Sequence, residues 1–432
     1  MIHRGSLVLI LCAVVGSSAA AQVNLAETPQ PGGLARYQIE LSVNGKLLVS
    51  QEGKPQEVPL TAKSKHRFVE KTLTVAEGLP ARSLRLFDDA SASALVGTDK
   101  DDHRLPADRK LFVAARTADG LFCFAPAGAV TREELDLVSE HFDPHCLPGL
   151  LPGKAVNVGD TWAIGNAAAQ AAGLFDSLIK NSLSGKLIDV KDGVATFAIT
   201  GSMEGIENGA RVTLTIDAVG RFQVATGRIV ALTWKQTDDR EQGPASPASK
   251  LEAVVVLQRE KLAEEPKELA AAPIGEPSAR ESMLRFTDPK GRYRFEYPRQ
   301  WHITGQTDDH LVLRLLDRGE FVAQATITAW KKAEAGQHAT IEEFKKAVSE
   351  SPGWVPERVL EDGEVPLGGG RWLYRLSAEG KMAEQSAVQA FHMLAGPRGD
   401  QVAVTIAMKP EKVKSLGDRG LDLLKAIEFD AK

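Results

Sequence analysis

Tyr37, Ile39, Leu41 and Val43 alternate with Gln38, Glu40 and Ser42. That two-residue period is the mark of a strand with one buried face. Asn44-Gly45 follows, the strongest short hairpin signal, and 46–50 reads as the returning strand. Residues 111–115 and 120–124 form a second strand pair around a short turn. The period then changes. Thr131 and Glu134 make a capping box, and Leu135, Val138 and Phe142 share one face of the helix it starts.

Leu147-Pro-Gly-Leu-Leu-Pro-Gly153 interrupts regular structure twice. The alanine-rich stretch 166–178 predicts a helix with Asn166 at its N-cap. Strands return at 183–190 and 194–200 around Lys191-Asp192-Gly193. They continue through Val212, Leu214 and Ile216, which alternate with Thr213 and Thr215, and through 227–237 and 251–260. Sequential antiparallel strands pair with their neighbours and curl around a helix or around one another. The pattern leaves open whether 22–145 and 146–262 are separate units.

Residues 263–283 carry Glu264, Glu265, Pro266, a run of alanines, Pro273 and Pro277, and few large apolar side chains. This predicts a flexible linker. Four of the six tryptophans and three of the four tyrosines lie beyond it, pointing to a separate core over 284–432. There the pattern predicts strands at 311–316, 321–330, 359–367, 372–377, 388–394 and 401–408. A helix starts at the Thr340/Glu343 capping box, and a final helix from Pro410 aligns Val413, Leu416, Leu423, Leu424 and Ile427 on one face.

The second domain opens with a turn at Asp288-Pro-Lys-Gly291, the alternating aromatics Tyr293, Phe295 and Tyr297, then Pro298 and Trp301. With the mid-domain helix, the antiparallel meander and the ending Leu424-Lys-Ala-Ile-Glu-Phe429, this resembles the PsbP-like fold of PsbP extrinsic proteins and DcrB-type proteins, over about 284–430. The resemblance implies an interaction module and carries no catalytic or metal-binding residue to this chain. The earlier part is similar, over Leu151 to Lys154 and Val158 to Trp162, to exported β-rich proteins without an assigned activity. The expected fold class is α+β: a β-rich antiparallel domain over 22–262, the linker, and a C-terminal PsbP-like α/β sandwich with an antiparallel sheet and flanking helices.

Composition adds the compartment. Arg4, the apolar run 7–15 and Ala19-Ala20-Ala21 read as a signal peptide over 1–21, cleaved before Gln22. The run is too short for a stable span of a ~30 Å bilayer, and no later segment is apolar enough. Cys12 follows Leu11, unlike the small residue a lipoprotein signal requires. The expectation is an exported protein, periplasmic or extracellular, that does not span a membrane. Net charge is −5. Such mild acidity argues against a nucleic-acid partner. Two cysteines remain after the leader, Cys123 and Cys146, and an even count in an exported chain favours a disulfide between them.

Candidate chemistry is sparse. His141, His145 and Cys146, with Cys123 nearby, have metal-ligand types, but Pro144 breaks the helical spacing. Asp99, Asp101, Asp102 and His103 lack the glycine and glutamate of a calcium loop and read as a charged turn. Asp308, Asp309 and His310 read as a solvated loop. Ser177-Leu-Ile-Lys180 fits Ser-x-x-Lys without its partner motifs. Gly149 to Lys154 is one residue short of a phosphate loop and is followed by Ala155. Trp301, Trp330, Trp354 and Trp372 read as core rather than as a binding face. No catalytic, cofactor or metal residue is assigned.

The leading expectation is a non-enzymatic envelope or extracellular interaction module with a protein partner. The alternative is a carrier whose curved sheet over 180–262 folds around a lipid-like apolar small molecule. It requires strands apolar on their concave face, with small residues lining a cavity. A third possibility is an enzyme whose site is assembled from dispersed residues.

Overall fold

A computed structural model describes residues 22–51, 54–139, 142–272 and 275–429. The leader with Cys12, and His141, lie outside the described residues. The expected α+β class is overturned. Strand accounts for 57 % and helix for 12 %, arranged as large antiparallel sheets rather than as a sandwich of sheet and flanking helices.

Among the described residues, the first half forms one thirteen-stranded sheet. Its early strands are β1 (Leu34–Gln51), β2 (Lys54–Ala76), β3 (Leu79–Val96), β4 (Asp99–Arg104), β5 (Leu111–Thr117) and β6 (Gly120–Phe124). After helix α1 (Arg132–Ser139) and helix α2 (Asn166–Ala172), with β7 (Thr161–Ala163) between them, come β8 (Ser177–Asn181), β9 (Ser184–Lys191) and β10 (Val194–Glu207). The meander then closes with β11 (Ala210–Gln223), β12 (Arg228–Arg240) and β13 (Ala248–Lys261). The order across the sheet is β6-β5-β3-β2-β1-β13-β12-β11-β10-β9-β7, with β4 on β3 and β8 on β10. The last strand therefore pairs with the first, joining the early and late strands in one layer.

Alternation decides which face is buried. Along β11, Val212, Leu214, Ile216 and Phe222 are buried while Arg211, Thr213, Thr215 and Asp217 are exposed. The inner face holds Tyr37, Phe68, Phe197 and Trp234, on which α1 and the turn Pro144–Leu150 pack. Asn44-Gly45 makes no hairpin. β1 runs through it, with Gly45 paired to Leu60 and Leu251. The physical reason is close approach: Gly45 has a φ of 154°, and a Cβ there would press on the Lys250 carbonyl oxygen. α2 is shorter than its alanine run suggests and stops at Gly173. Its cap position is Gly165, not Asn166.

The second half forms a seven-stranded antiparallel sheet from β14 (Trp301–Gln306), β15 (His310–Asp317), β16 (Glu320–Ala329), β17 (Trp354–Glu364), β18 (Trp372–Met382), β19 (Gln385–Ala395) and β20 (Gln401–Met408). The order is β14-β15-β16-β20-β19-β18-β17. Helix α3 (Ile341–Ser349) starts at the expected capping box, with Glu343 N donating to Thr340 Oγ1 at 3.1 Å. The single helix expected from Pro410 is broken. A turn Pro410–Lys412 and a short helix Val413–Leu416 end at Gly417, and α4 (Arg419–Ala426) follows.

The halves share one continuous core that includes Leu135, Phe142, Leu284, Tyr297 and Trp301. The described residues 263–272 of the expected linker run along the outer face of the first sheet. Their helical turn Lys267–Ala270 buries Leu269 among Val69, Leu84, Val113 and Phe124. Lys71 bonds Glu265 at 2.6 Å, and Arg82 bonds Glu276 at 2.8 Å. Leu284 bridges Val130, and Arg285 reaches Glu134 at 3.0 Å.

Candidate functional site

Where the second half meets the inner face of the first sheet, the packing leaves a cavity of about 1110 Å³. This is slightly above the ~300–1,000 Å³ of typical small-molecule sites. The sheet supplies an apolar wall: Leu41 and Val43 on β1, Val212 and Leu214 on β11, and Leu251, Ala253 and Val255 on β13. The β1 and β13 positions are adjacent across the sheet, because Val43 pairs with Ala253, Leu41 with Val255, and Gly45 with Leu251. α1 adds Leu135 and, just past its end, Phe142. The second half closes the cavity with Met283, Pro298, His302 and Leu316.

The mouth is polar. Asp119 lies at the β5–β6 turn, Asp176 follows α2, Glu207 and Asn208 lie at the β10–β11 turn, and Asp317 and Arg318 at the β15–β16 turn. β12 lies between β11 and β13 and interrupts the apolar wall: Asp238 pairs with Leu214 and Leu251, and Gln236 with Ala253. Its inward positions run Leu232 and Trp234, then Gln236, Asp238 and Arg240. The mouth is narrowed where the β10–β11 and β15–β16 turns touch. A Cβ on Gly209 would collide with the Gly319 carbonyl, so these glycines permit the approach.

Electrostatics follow from burial. Desolvation raises the carboxyls of Asp176 and Asp238, with Asp119 adding repulsion at Asp176. Burial lowers His302 to about 4, so it is neutral near pH 7. Arg299 is brought down to about 10 by desolvation. It is held at the interface, donating to Cys123 O at 2.7 Å and Ser282 O at 3.0 Å and lying 4.2 Å from the centre of the Phe122 ring. Asp238 Oδ1 is buried and has no hydrogen-bond partner among the described residues.

The residues singled out from the sequence lie mostly elsewhere. Cys123 and Cys146 are free, buried thiols, so the expected disulfide is not formed. Cys123 points at Val138 O at 3.9 Å, and Cys146 sits in the Pro144–Leu150 turn; each packs as a small apolar side chain. His145 is fully buried, with Nε2 2.8 Å from Ser83 Oγ and Nδ1 3.7 Å from Asp143 Oδ1. Ser83, His145 and Asp143 together suggest a triad. The serine is wholly enclosed, however, and the second distance is beyond a hydrogen bond. The group belongs to a sealed ion cluster: Arg85 bonds Glu70 at 2.8 Å and Asp143 at 3.0 Å, and Arg116 bonds Asp143 at 2.7 Å.

Asp101 pairs with His103 at 2.7 Å and Asp102 with Lys100 at 2.6 Å along the exposed β4. Asp309 is taken up by Arg292 at 2.8 Å and Lys290 at 3.3 Å. Ser177 reaches the cavity edge, while Lys180 is exposed. Gly149 packs on Ala168. Trp301 and Trp354 are core residues, and Trp330 and Trp372 are half-buried around Phe344 and Tyr374. The sequence reading missed Asp176, Asp238, Arg299 and His302. For Asp238 a signal was present: the strand period persists while its inward residues turn polar.

Comparison with family models gives no match, and comparison with curated proteins gives none. Among solved structures, a Bacteroides thetaiotaomicron VPI-5482 protein is 9 % identical with a TM-score of 0.24, covering 34 % of this chain and 48 % of its own. The chain thus spans about half the length of that relative. The PsbP protein CyanoP of Synechocystis sp. PCC 6803 is 13 % identical with a TM-score of 0.26, over 37 % of this chain and 100 % of its own. Lipovitellin, from a structure of lipid–protein interactions, is 10 % identical with a TM-score of 0.34, over 61 % of this chain and 30 % of its own. Likenesses this distant decide neither family nor function. Among the described residues, no helix is long and apolar enough to cross a membrane.

Proposed function

We propose that the protein is an exported, non-enzymatic binder of an amphiphile, with the apolar chain in the cavity and the polar head at the mouth. The observation that carries this reading is the cavity itself: a wall of Leu41, Val43, Val212, Leu214, Leu251 and Val255, a charged mouth, and about 1110 Å³ between them. Apolar burial supplies ~0.8 kcal/mol per methylene. Affinity for straight-chain amphiphiles therefore rises about tenfold for every two methylenes until the chain outgrows the cavity. The PsbP-like reading of 284–430 rests on the Asp288–Gly291 turn and on the buried Tyr293, Tyr297 and Trp301. In this proposal that domain forms the closing wall.

The test is calorimetric titration of the exported chain with amphiphiles of eight to sixteen carbons. A rising series that plateaus supports the reading; affinity indifferent to chain length sinks it. Val43→Trp, which fills the cavity from a half-buried position, weakens binding at least about tenfold.

A second reading keeps the C-terminal domain as a module for a protein partner. It is favoured by β17, an edge strand that exposes Val355, Val359 and Leu360. Val359→Lys abolishes capture of such a partner and leaves amphiphile binding unchanged.

A further inference from the structure

We infer that the amphiphile carries a hydroxyl part-way along its apolar body, and that Asp238 is the residue that reads it. The inference rests on the proposed binding function and concerns the same cavity. A carboxylate set inside the apolar wall, rather than at the mouth, carries it.

Asp238 lies on β12 with an apolar residue on either hand. It pairs with Leu251 of β13 on one side and with Leu214 of β11 on the other, and all three line the cavity. Neighbouring strands lie ~4.8 Å apart, so the two leucines are ~10 Å apart with the carboxyl midway between them. A hydrocarbon chain in contact with both leucines therefore passes directly over Asp238.

The polar groups beside it on the strand are already engaged. Gln236 Oε1 accepts from Trp234 Nε1 at 3.0 Å, and Arg240 pairs with Glu207. Asp238 Oδ1 is buried and has no hydrogen-bond partner among the described residues. Counter-charge is not what this carboxylate lacks, because Arg240 already acts on it from two positions along the strand. It lacks a hydrogen-bond donor. Covering it with plain hydrocarbon would leave an acceptor shut away from water and unpaired. A hydroxyl on the chain removes that cost. Burial pushes the Asp238 carboxyl up, and a hydroxyl suits either protonation state: it donates to the carboxylate and accepts from the acid. A ketone, which only accepts, would serve the acid alone.

The experiment titrates the full exported chain with hexadecanoate and with hexadecanoates bearing one hydroxyl at the third, sixth, ninth or twelfth carbon, all below their micelle concentrations. In a purely apolar site any such hydroxyl weakens binding. Here at least one isomer should bind about tenfold tighter than hexadecanoate, with affinity falling away at the other positions. Asp238→Leu should tighten binding of hexadecanoate itself and leave every hydroxylated chain the weaker ligand. Asp238→Asn, whose amide both donates and accepts, should retain the favoured isomer. Asp239→Asn, on the same strand but facing outward beside Lys250, should change neither affinity nor preference. Hexadecanoate binding as tightly as every isomer, or an isomer preference that survives Asp238→Leu, would overturn the inference. In both cases the chains still bind and the proposed function stands. If neither hexadecanoate nor any isomer binds, the proposed function fails and this inference falls with it.

Discussion

Arg85 is fully enclosed between Glu70 and Asp143, with Arg116 completing the charge balance. Removing one member of a buried ion cluster leaves the others uncompensated, at a cost of ~3–5 kcal/mol. Arg85→Met should therefore sharply lower the unfolding free energy from urea titration, and a change below ~1 kcal/mol would contradict the cluster. Acid should act in the same direction. His66, His302 and His392 are lowered by burial to about 4, 4 and 3, and His145 is lowered too. An unfolded histidine titrates near 6.5. Between about pH 6.5 and 4 the unfolded chain then binds protons that the folded chain refuses, and stability falls as pH falls. Asp143, held below its usual value by its cationic neighbours against the opposing effect of burial, extends the loss below about pH 4. Unfolding free energies from urea titration at pH 7.5 and 4.5 should differ by several kcal/mol, roughly 2 for each of His66, His302 and His392; equal values would contradict the burial of these rings. None of this cluster could be read from sequence, because Glu70, Arg85, Arg116 and Asp143 meet only through the pairing of β2, β3 and β5.

At the scale of elements, local rules read well where they were local. Both capping boxes form: Thr131 N donates to Glu134 Oε2 at 2.9 Å, and Thr340 N to Glu343 Oε2 at 3.1 Å. Thr340→Ala should cost about 1 kcal/mol, measured as a shift in thermal midpoint. The strands of the meander were legible from their alternation alone. What failed was Asn44-Gly45, where a turn signal was outweighed by long-range pairing on both sides of β1. The glycine serves the neighbouring strand, not a turn. Gly45→Ala should separate β1 from β13 and cost roughly 2–4 kcal/mol. Because Val43 and Leu251 line the cavity, it should also weaken amphiphile binding; an unaltered protein would show that the strands approach less closely. The cavity's apolar wall was legible as alternation. Its mouth was not, since Asp119, Asp176 and Arg318 come from three separate segments.

For the whole molecule, the boundary between the halves is the main finding that composition concealed. The 263–283 segment looked like a spacer because it is rich in alanine, proline and glutamate. Yet Leu269 inserts into an apolar cluster, and Glu265 and Glu276 bond back to the sheet. Limited trypsin digestion should therefore spare Lys267 while the chain is folded, and rapid cutting there would contradict that docking.

One consequence of a cavity walled from both sides concerns communication rather than storage. A guest that touches both halves binds their closed arrangement better than any open one, so occupancy and closure are thermodynamically linked. At a hundredfold excess over the dissociation constant, such linkage is worth ~2.7 kcal/mol. A loaded molecule would therefore be the more tightly closed one, and any surface spanning the two halves, such as the touching turns at Gly209 and Gly319, would report from outside whether the interior is full.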